Sequence, residues 1–237
     1  MRPRLPRLAW PLLVALCAAP LLGAAPAPPE PPPKSKVAFL YDKDKDAAEA
    51  FKKLLDEAKL PTALIPVSDL GTADWKPYTL VVVGPDTRGA WAKAAAAVDE
   101  AKKPTLGLGE GGAAFFAGLG TALGLPHVWH GRQTDLFACD AETSKFWTSS
   151  KIKLPESQVL AVYKASGHVG VYLPTPPEDV VLLGREANNA THYVLVQQGP
   201  RHVLWGFTGP PGQMTPEGKQ LFVHTCRHTD ALGAAKK

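Results

Sequence analysis

The sequence predicts an α/β fold. Its first half reads as a three-layer, doubly wound, mostly parallel sheet, and antiparallel strands extend it in the C-terminal half. Three observations carry this. Short apolar runs alternate with segments of helical periodicity between residues 37 and 123. The run Tyr78 to Val83 ends in four unbroken apolar residues, as a strand covered on both faces requires. From residue 158, strand-like segments follow one another with turns rather than helices between them.

Taken in order, the chain begins with a basic start (Arg2, Arg4, Arg7) and an apolar stretch from Leu8 to Gly23 broken by Pro11 and Pro20. Small residues follow from Gly23 to Ala27. This is the pattern of a secretory signal over 1–25, too short and too broken for a membrane span. Leu16 precedes Cys17 where a lipoprotein signal wants a small residue, so periplasmic or secreted export is expected rather than lipid anchoring. Residues 26–35 form a proline-rich, stiff linker, and 231–237 a flexible tail. The body between, 36–230, has a length that suits one domain.

Within the body, Val37 to Tyr41 is the first strand, and Ala47 to Leu60 repeats apolar residues at helical spacing. Thr62 to Val67 and Tyr78 to Val83 are the next strands, with an alanine-rich helix over Ala90 to Lys102. Thr105 to Leu108 is the fourth strand, and Gly111 to Leu123 the helix after it. Strands alternating with helices imply right-handed parallel crossovers. Later strands are expected at Gln158 to Tyr163, Val169 to Leu173, Val180 to Arg185, Tyr193 to Gln198 and Val203 to Phe207. Ala187-Asn188-Asn189 and Gln198-Gly199-Pro200-Arg201 have the composition of hairpin turns. Thr215 to Arg227 is a closing helix, with Thr215 as its cap and Pro216 in its first turn.

The formal net charge is +4, and the three arginines of the signal account for most of it, leaving +1 on the exported chain. No basic field for nucleic acid remains. Cys139 and Cys226 are the cysteines of that chain, with 86 residues between them, and one disulfide and two buried thiols are equally open.

The stretch on which function turns is Pro104 to Phe116. An apolar strand ends in Gly107-Leu108-Gly109-Glu110-Gly111-Gly112, and a helix-permissive segment follows at once. This is the shape of a strand-to-helix elbow, on which α/β hydrolases mount a nucleophile. The position for Ser or Cys is Gly109. A second stretch, Val203 to Pro210, ends a late strand with Gly206-Phe207-Thr208-Gly209-Pro210.

With these two stretches, the order of elements resembles the class I glutamine amidotransferase-like superfamily, a flavodoxin-like α/β sandwich with ThuA-like and related secreted members. The resemblance spans roughly residues 36 to 228. In that family the elbow carries the cysteine of Gly-Ile-Cys-x-Gly, and the late strand ends Gln-Phe-His-Pro-Glu. Carried over, it puts the nucleophile at Gly109, the histidine at Thr208 and the glutamate near Pro210. None of the three has the side chain its role requires. The resemblance therefore implies a triad-less member without glutamine hydrolysis, and implies no cofactor.

What remains is the crevice at the carboxyl ends of the parallel strands, where ligands bind in doubly wound sheets. A glycine-rich turn opening a helix suits an anion or polar carbonyl, although Glu110 itself would take the favourable helix end. The competing reading is that Gly109, Gly111 and Gly112 permit only tight geometry. Asp42 and Asp86 fall at the same edge as Glu110, either as loop caps or as a carboxylate cluster that would serve a hydrolase, with or without a metal. The crevice candidates are thus Asp42, Asp86, Gly109, Glu110, Gly111 and Thr208.

Among the histidines, His224 and His228 stand four apart on the closing helix, a spacing two metal ligands would use, and satisfied or surface roles are the alternative. His127 and His130 fall in an expected loop. In Ser166-Gly167-His168, no elbow presents the serine. The expected function is an exported, non-catalytic domain that binds a small polar ligand or a cell-envelope partner at the elbow.

Overall fold

The computed structural model describes residues 37–124 and 128–234. The expected signal (1–25), the linker (26–35) and His127 lie outside the described residues. Among these residues eleven strands form one sheet, and its parallel half matches the expectation closely: β1 (Val37–Tyr41), β2 (Thr62–Pro66), β3 (Leu80–Val83) and β4 (Thr105–Leu108). They alternate with α1 (Lys45–Glu57), α2 (Trp91–Glu100) and α3 (Gly109–Gly118). The C-terminal half contains β5 (Val128–Gly131), β6 (Asp135–Ala138), α4 (Lys145–Ser150), β7 (Val159–Ala161) and β8 (His168–Tyr172). It closes with β9 (Val180–Arg185), β10 (His192–Gln198), β11 (His202–Trp205) and α5 (Pro216–Ala234).

The main path through the sheet runs β2-β1-β3-β4-β11-β10-β9-β6-β7, with β8 joining β10 and β5 joining β8. One correction matters for the site. The last strand does not belong wholly to the antiparallel extension, because β11 lies parallel to β4 (Trp205 opposite Leu108) and antiparallel to β10. It is the seam between the two halves. That register brings the segment after Trp205 beside the elbow after Leu108.

Side chains of the central strands alternate between two cores, as the two-residue period of a strand demands. Val37, Phe39, Leu80, Val82, Leu106 and Leu108 join Phe51 of α1 and Phe222 of α5 on one face. Ala38, Leu40, Val81 and Val83 join Trp91 of α2 and Phe115 and Phe116 of α3 on the other. These are the three layers expected.

Helix ends follow their local chemistry. Asp44 caps α1 by accepting the Ala47 N–H at 2.9 Å, and Thr215 caps α5 through the Gly218 N–H at 2.8 Å. At the other end of α1, Lys59 N–H donates to Asp56 O and Leu60 N–H to Leu55 O, the paired bonds of a left-handed C-terminal turn. The closing helix continues to Ala234, into the segment expected to be a flexible tail. The short elements β5, β6 and α4 were not expected from the sequence. Cys139 and Cys226 are both free thiols, the latter fully buried. Among the described residues, no helix is long and apolar enough to cross a membrane.

Candidate functional site

The elbow changes from strand to helix within one residue. Leu108 is extended (φ −104°, ψ 128°) and Gly109, which opens α3, has φ +50°. Only glycine enters this region without a Cβ penalty. A Cβ built on Gly109 would point at Thr208, 2.7 Å from its Cγ2 and 3.3 Å from the Phe207 carbonyl oxygen. The next glycines serve close packing. A Cβ on Gly111 would run into the Gly84 carbonyl oxygen and stand 2.5 Å from Thr87 Oγ1, and one on Gly112 would run into the backbone of Gly107. The Gly111 N–H donates to Pro85 O at 3.1 Å, so it is not free to hold an anion. At Gly111 and Gly112 the packing role is therefore the observed one.

The three carboxylates at this edge do not converge. Asp86 turns back onto the β1–α1 loop, where its Oδ2 accepts the backbone N–H groups of Asp42, Lys43 and Asp44 at 3.0, 2.8 and 2.8 Å. Three converging N–H donors form a nest for an anion, and Asp86 is the anion. Glu110 pairs instead with Arg88 Nη1 at 3.1 Å and His130 Nε2 at 3.3 Å, all three substantially exposed. Such surface pairs stabilise by about 1 kcal/mol at most.

A crevice of ≈ 50 Å³ opens between β1, α1 and the segment after β11, lined by Phe39, Phe51, Asp44, Asp86, Thr208 and Pro210 among others. Of the expected candidates it gathers Asp86 and Thr208. Asp42, Gly109, Glu110 and Gly111 are not among its lining residues. Thr208 is held in place because its Oγ1 and its N–H both donate to Gly167 O, at 3.0 and 3.1 Å.

The histidines of α5 are packed as structure. His224 Nε2–H donates to Phe146 O at 2.8 Å and His228 Nε2–H to Gln197 Oε1 at 2.8 Å. Both rings lie against the Phe146 ring, with centroids 4.7 and 5.1 Å away. Burial lowers the His224 pKa. Burial and then the His224 charge push His228 down to about 4. Among the described residues, no group of three or more His, Cys, Asp or Glu side chains is placed to hold a metal ion.

One polar pair went unrecognised in the sequence. His168 on β8 and Glu186, just after β9, meet at 2.6 Å between Nε2 and Oε1, both almost wholly buried. The Gln133 N–H donates to His168 Nδ1 at 3.1 Å, which fixes the tautomer with the proton on Nε2. Both ring nitrogens are engaged, so the imidazole has no lone pair left for a substrate proton. Ser166 does not face it; its Oγ accepts the Gly209 N–H at 3.0 Å and donates to Gly167 O. Among the described residues, no buried side-chain polar atom lacks a partner.

No family model matches the chain, and no curated protein matches it. Solved structures do. PurLQS from Thermotoga maritima matches at 12% identity over 82% of this chain and 99% of that one, with a TM-score of 0.50. The glutaminase domain of CTPS from Trypanosoma brucei, with bound acivicin, matches at 12% identity over 85% of this chain and 94% of that one (TM-score 0.48). A glutamine amidotransferase from Thermotoga maritima matches at 12% identity over 85% and 94% (TM-score 0.47). At such identities the likeness is one of fold. A doubly wound parallel core, covered by helices on both faces and extended by antiparallel strands, is the fold expected of an amidotransferase-like chain and the fold this protein has.

Proposed function

We propose that this chain is an exported amidotransferase-like domain without catalysis of its own. It would use the crevice beside the Gly107–Gly112 elbow to hold a small polar ligand or a cell-envelope partner. One observation carries the reading. A Cβ on Gly109 would point straight at Thr208, so the positions given to nucleophile and histidine face each other across the elbow. Neither bears a group that exchanges a proton near neutral pH. Export rests on the basic and apolar pattern of residues 2–27. A crevice of ≈ 50 Å³ has room for only a few waters, which supports a partner's side chain over an enclosed metabolite. Hydrolysis through Asp42, Asp86 and Glu110 has less behind it, because Asp86 is spent on backbone N–H groups and Glu110 on Arg88 and His130.

The test uses the chain without residues 1–25. A glutaminase assay is expected to be blank, and measurable turnover would overturn the alignment of Gly109 with the missing cysteine. A photo-crosslinking side chain at Lys43, the exposed neighbour of the crevice-lining Asp44, is expected to capture an envelope protein in cells. A thermal-shift screen against sugars, nucleotides, amino acids and divalent metals runs beside it. Stabilisation abolished by Thr208→Ala, which changes the crevice lining, would assign a small ligand instead of a protein. No hit in either experiment would overturn the binding reading and leave a structural role.

A further inference from the structure

We propose that the surface along α5, down to the amino-terminal edge of the sheet, is a docking surface for an extended acidic protein segment. Two grooves adjoin α5, one of ≈ 480 Å³ at its C-terminal end beside that edge and one of ≈ 440 Å³ along Lys219 to Arg227. Lys102, Lys103 and Arg227 line the first, and Lys151, Lys219 and Arg227 the second. Against these five cations stands one lining carboxylate, Asp230. Arg227 belongs to both grooves and is fixed between them, its Nη2–H donating to Ala58 O at the end of α1 at 2.8 Å.

The charge is delivered here by the folding pattern. Helices that follow parallel strands end at the amino edge, and the chain places lysines at those ends. Lys102 follows α2 in left-handed backbone (φ 55°), and Lys151, at the end of the α4 that follows antiparallel β6, caps it at φ 59°. Glycine would make the same turns without a Cβ in the way. The surface keeps a cation at each instead, on a chain whose net charge without the signal is only +1.

The occupant follows from what the grooves offer. Paired concavities flanking a helix match an extended chain with carboxylates along it, whereas a flat lipid surface would not reach into both. Among the described residues, no Phe, Tyr or Trp ring lines either groove, so bases would find no stacking platform there. The exposed large apolar side chains, Tyr172 and Val181, lie on β8 and β9 rather than at this edge. Opposed charge of this kind sets the rate and selectivity of association.

The experiment measures fluorescein-labelled oligoglutamate binding to the chain lacking residues 1–25, by anisotropy. Affinity is expected to fall roughly tenfold or more between about 0.05 and 0.3 M salt. K102E/K103E and K151E/K219E are each expected to weaken it roughly tenfold, while E110A at the opposite edge leaves it unchanged. The lysines are exposed or half-exposed, and the alanine pairs K102A/K103A and K151A/K219A repeat the test should a charge reversal unfold the chain. Absence of binding at low salt, or binding indifferent to both lysine pairs, would overturn the proposal. So would tighter binding, through these lysines, to a single-stranded oligonucleotide or to phosphatidylglycerol vesicles.

Discussion

Gly109 and Gly111 sit two residues apart and do different work. At Gly109 the constraint has two parts, the left-handed φ of +50° and the Thr208 methyl 2.7 Å from where a Cβ would stand. A methyl can be removed by mutation and backbone cannot. Gly109→Ala is therefore expected to cost about 1–3 kcal/mol, and Thr208→Ser beside it to recover the steric share, leaving about 1 kcal/mol for the backbone. Urea unfolding of the two single variants and the double variant checks this, and simple additivity would remove Thr208 from the account. At Gly111 the first obstacle is the Gly84 carbonyl oxygen, with Thr87 Oγ1 and then the Thr87 backbone N behind it. Gly111→Ala is expected to cost about 3 kcal/mol or more, and Thr87→Ala not to rescue it. The sequence displayed the glycine cluster plainly. It did not distinguish the glycine that turns the corner from the glycines that admit a neighbouring backbone, because that depends on what packs against them.

Between elements, the buried pair His168–Glu186 fastens β8 to the end of β9, and Gln133 ties it to the β5–β6 connection. It does so twice, since its N–H binds His168 Nδ1 and its Oε1 accepts the Ala187 N–H at 3.1 Å. Removing one member of a buried hydrogen-bonded pair leaves the other unsatisfied. Glu186→Ala is expected to cost about 3 kcal/mol, and Glu186→Gln, which keeps an acceptor for Nε2–H, about 1 kcal/mol. His168→Ala added to Glu186→Ala should cost less than the sum, as shown by the full double-mutant cycle in urea. The pair was hidden because residues 168 and 186 become neighbours only through strand order, with β8 and β9 both pairing to β10. The parallel half was legible for the opposite reason: each strand and its following helix declare themselves by local periodicity. Residues 128–150 failed that test, since β5 (Val-Trp-His-Gly) and the six-residue α4 are too short to show a period. His224 and His228 were correctly placed on one helix face, but only Phe146 arriving from α4 reveals what that face holds.

Across the whole molecule, several titrating groups at distant places push stability the same way. His228, ordinarily near 6.5, is held down to about 4, first by burial and then by the His224 charge. Burial likewise lowers His202 on β11 and His224 on α5. In each case the unfolded chain takes up a proton that the folded chain refuses. Stability is therefore complete above the unfolded value near 6.5 and is lost as the pH falls toward the folded values, by about 3 kcal/mol for His228 alone. Asp99 on α2 adds a further loss at lower pH. Burial would raise its pKa, but the Arg201 guanidinium at 3.0 Å and a bond from His202 outweigh that and lower it. Arg201 is always charged, while His202, kept neutral by burial at pH 7, contributes chiefly the hydrogen bond. The Asp99 contribution is thus present above its unfolded value of 3.8 and disappears as the pH drops through the lowered folded value. Urea unfolding at a series of pH values is expected to show stability falling steadily from about 6.5 to about 4. His228→Gln retains a donor for Gln197 and cannot take up a proton, so its curve should be shallower by up to about 3 kcal/mol over that interval. A variant as steep as the parent would mean that His228 protonates freely in the folded chain, and that the α4–α5 contact around Phe146 is looser than its ring packing implies.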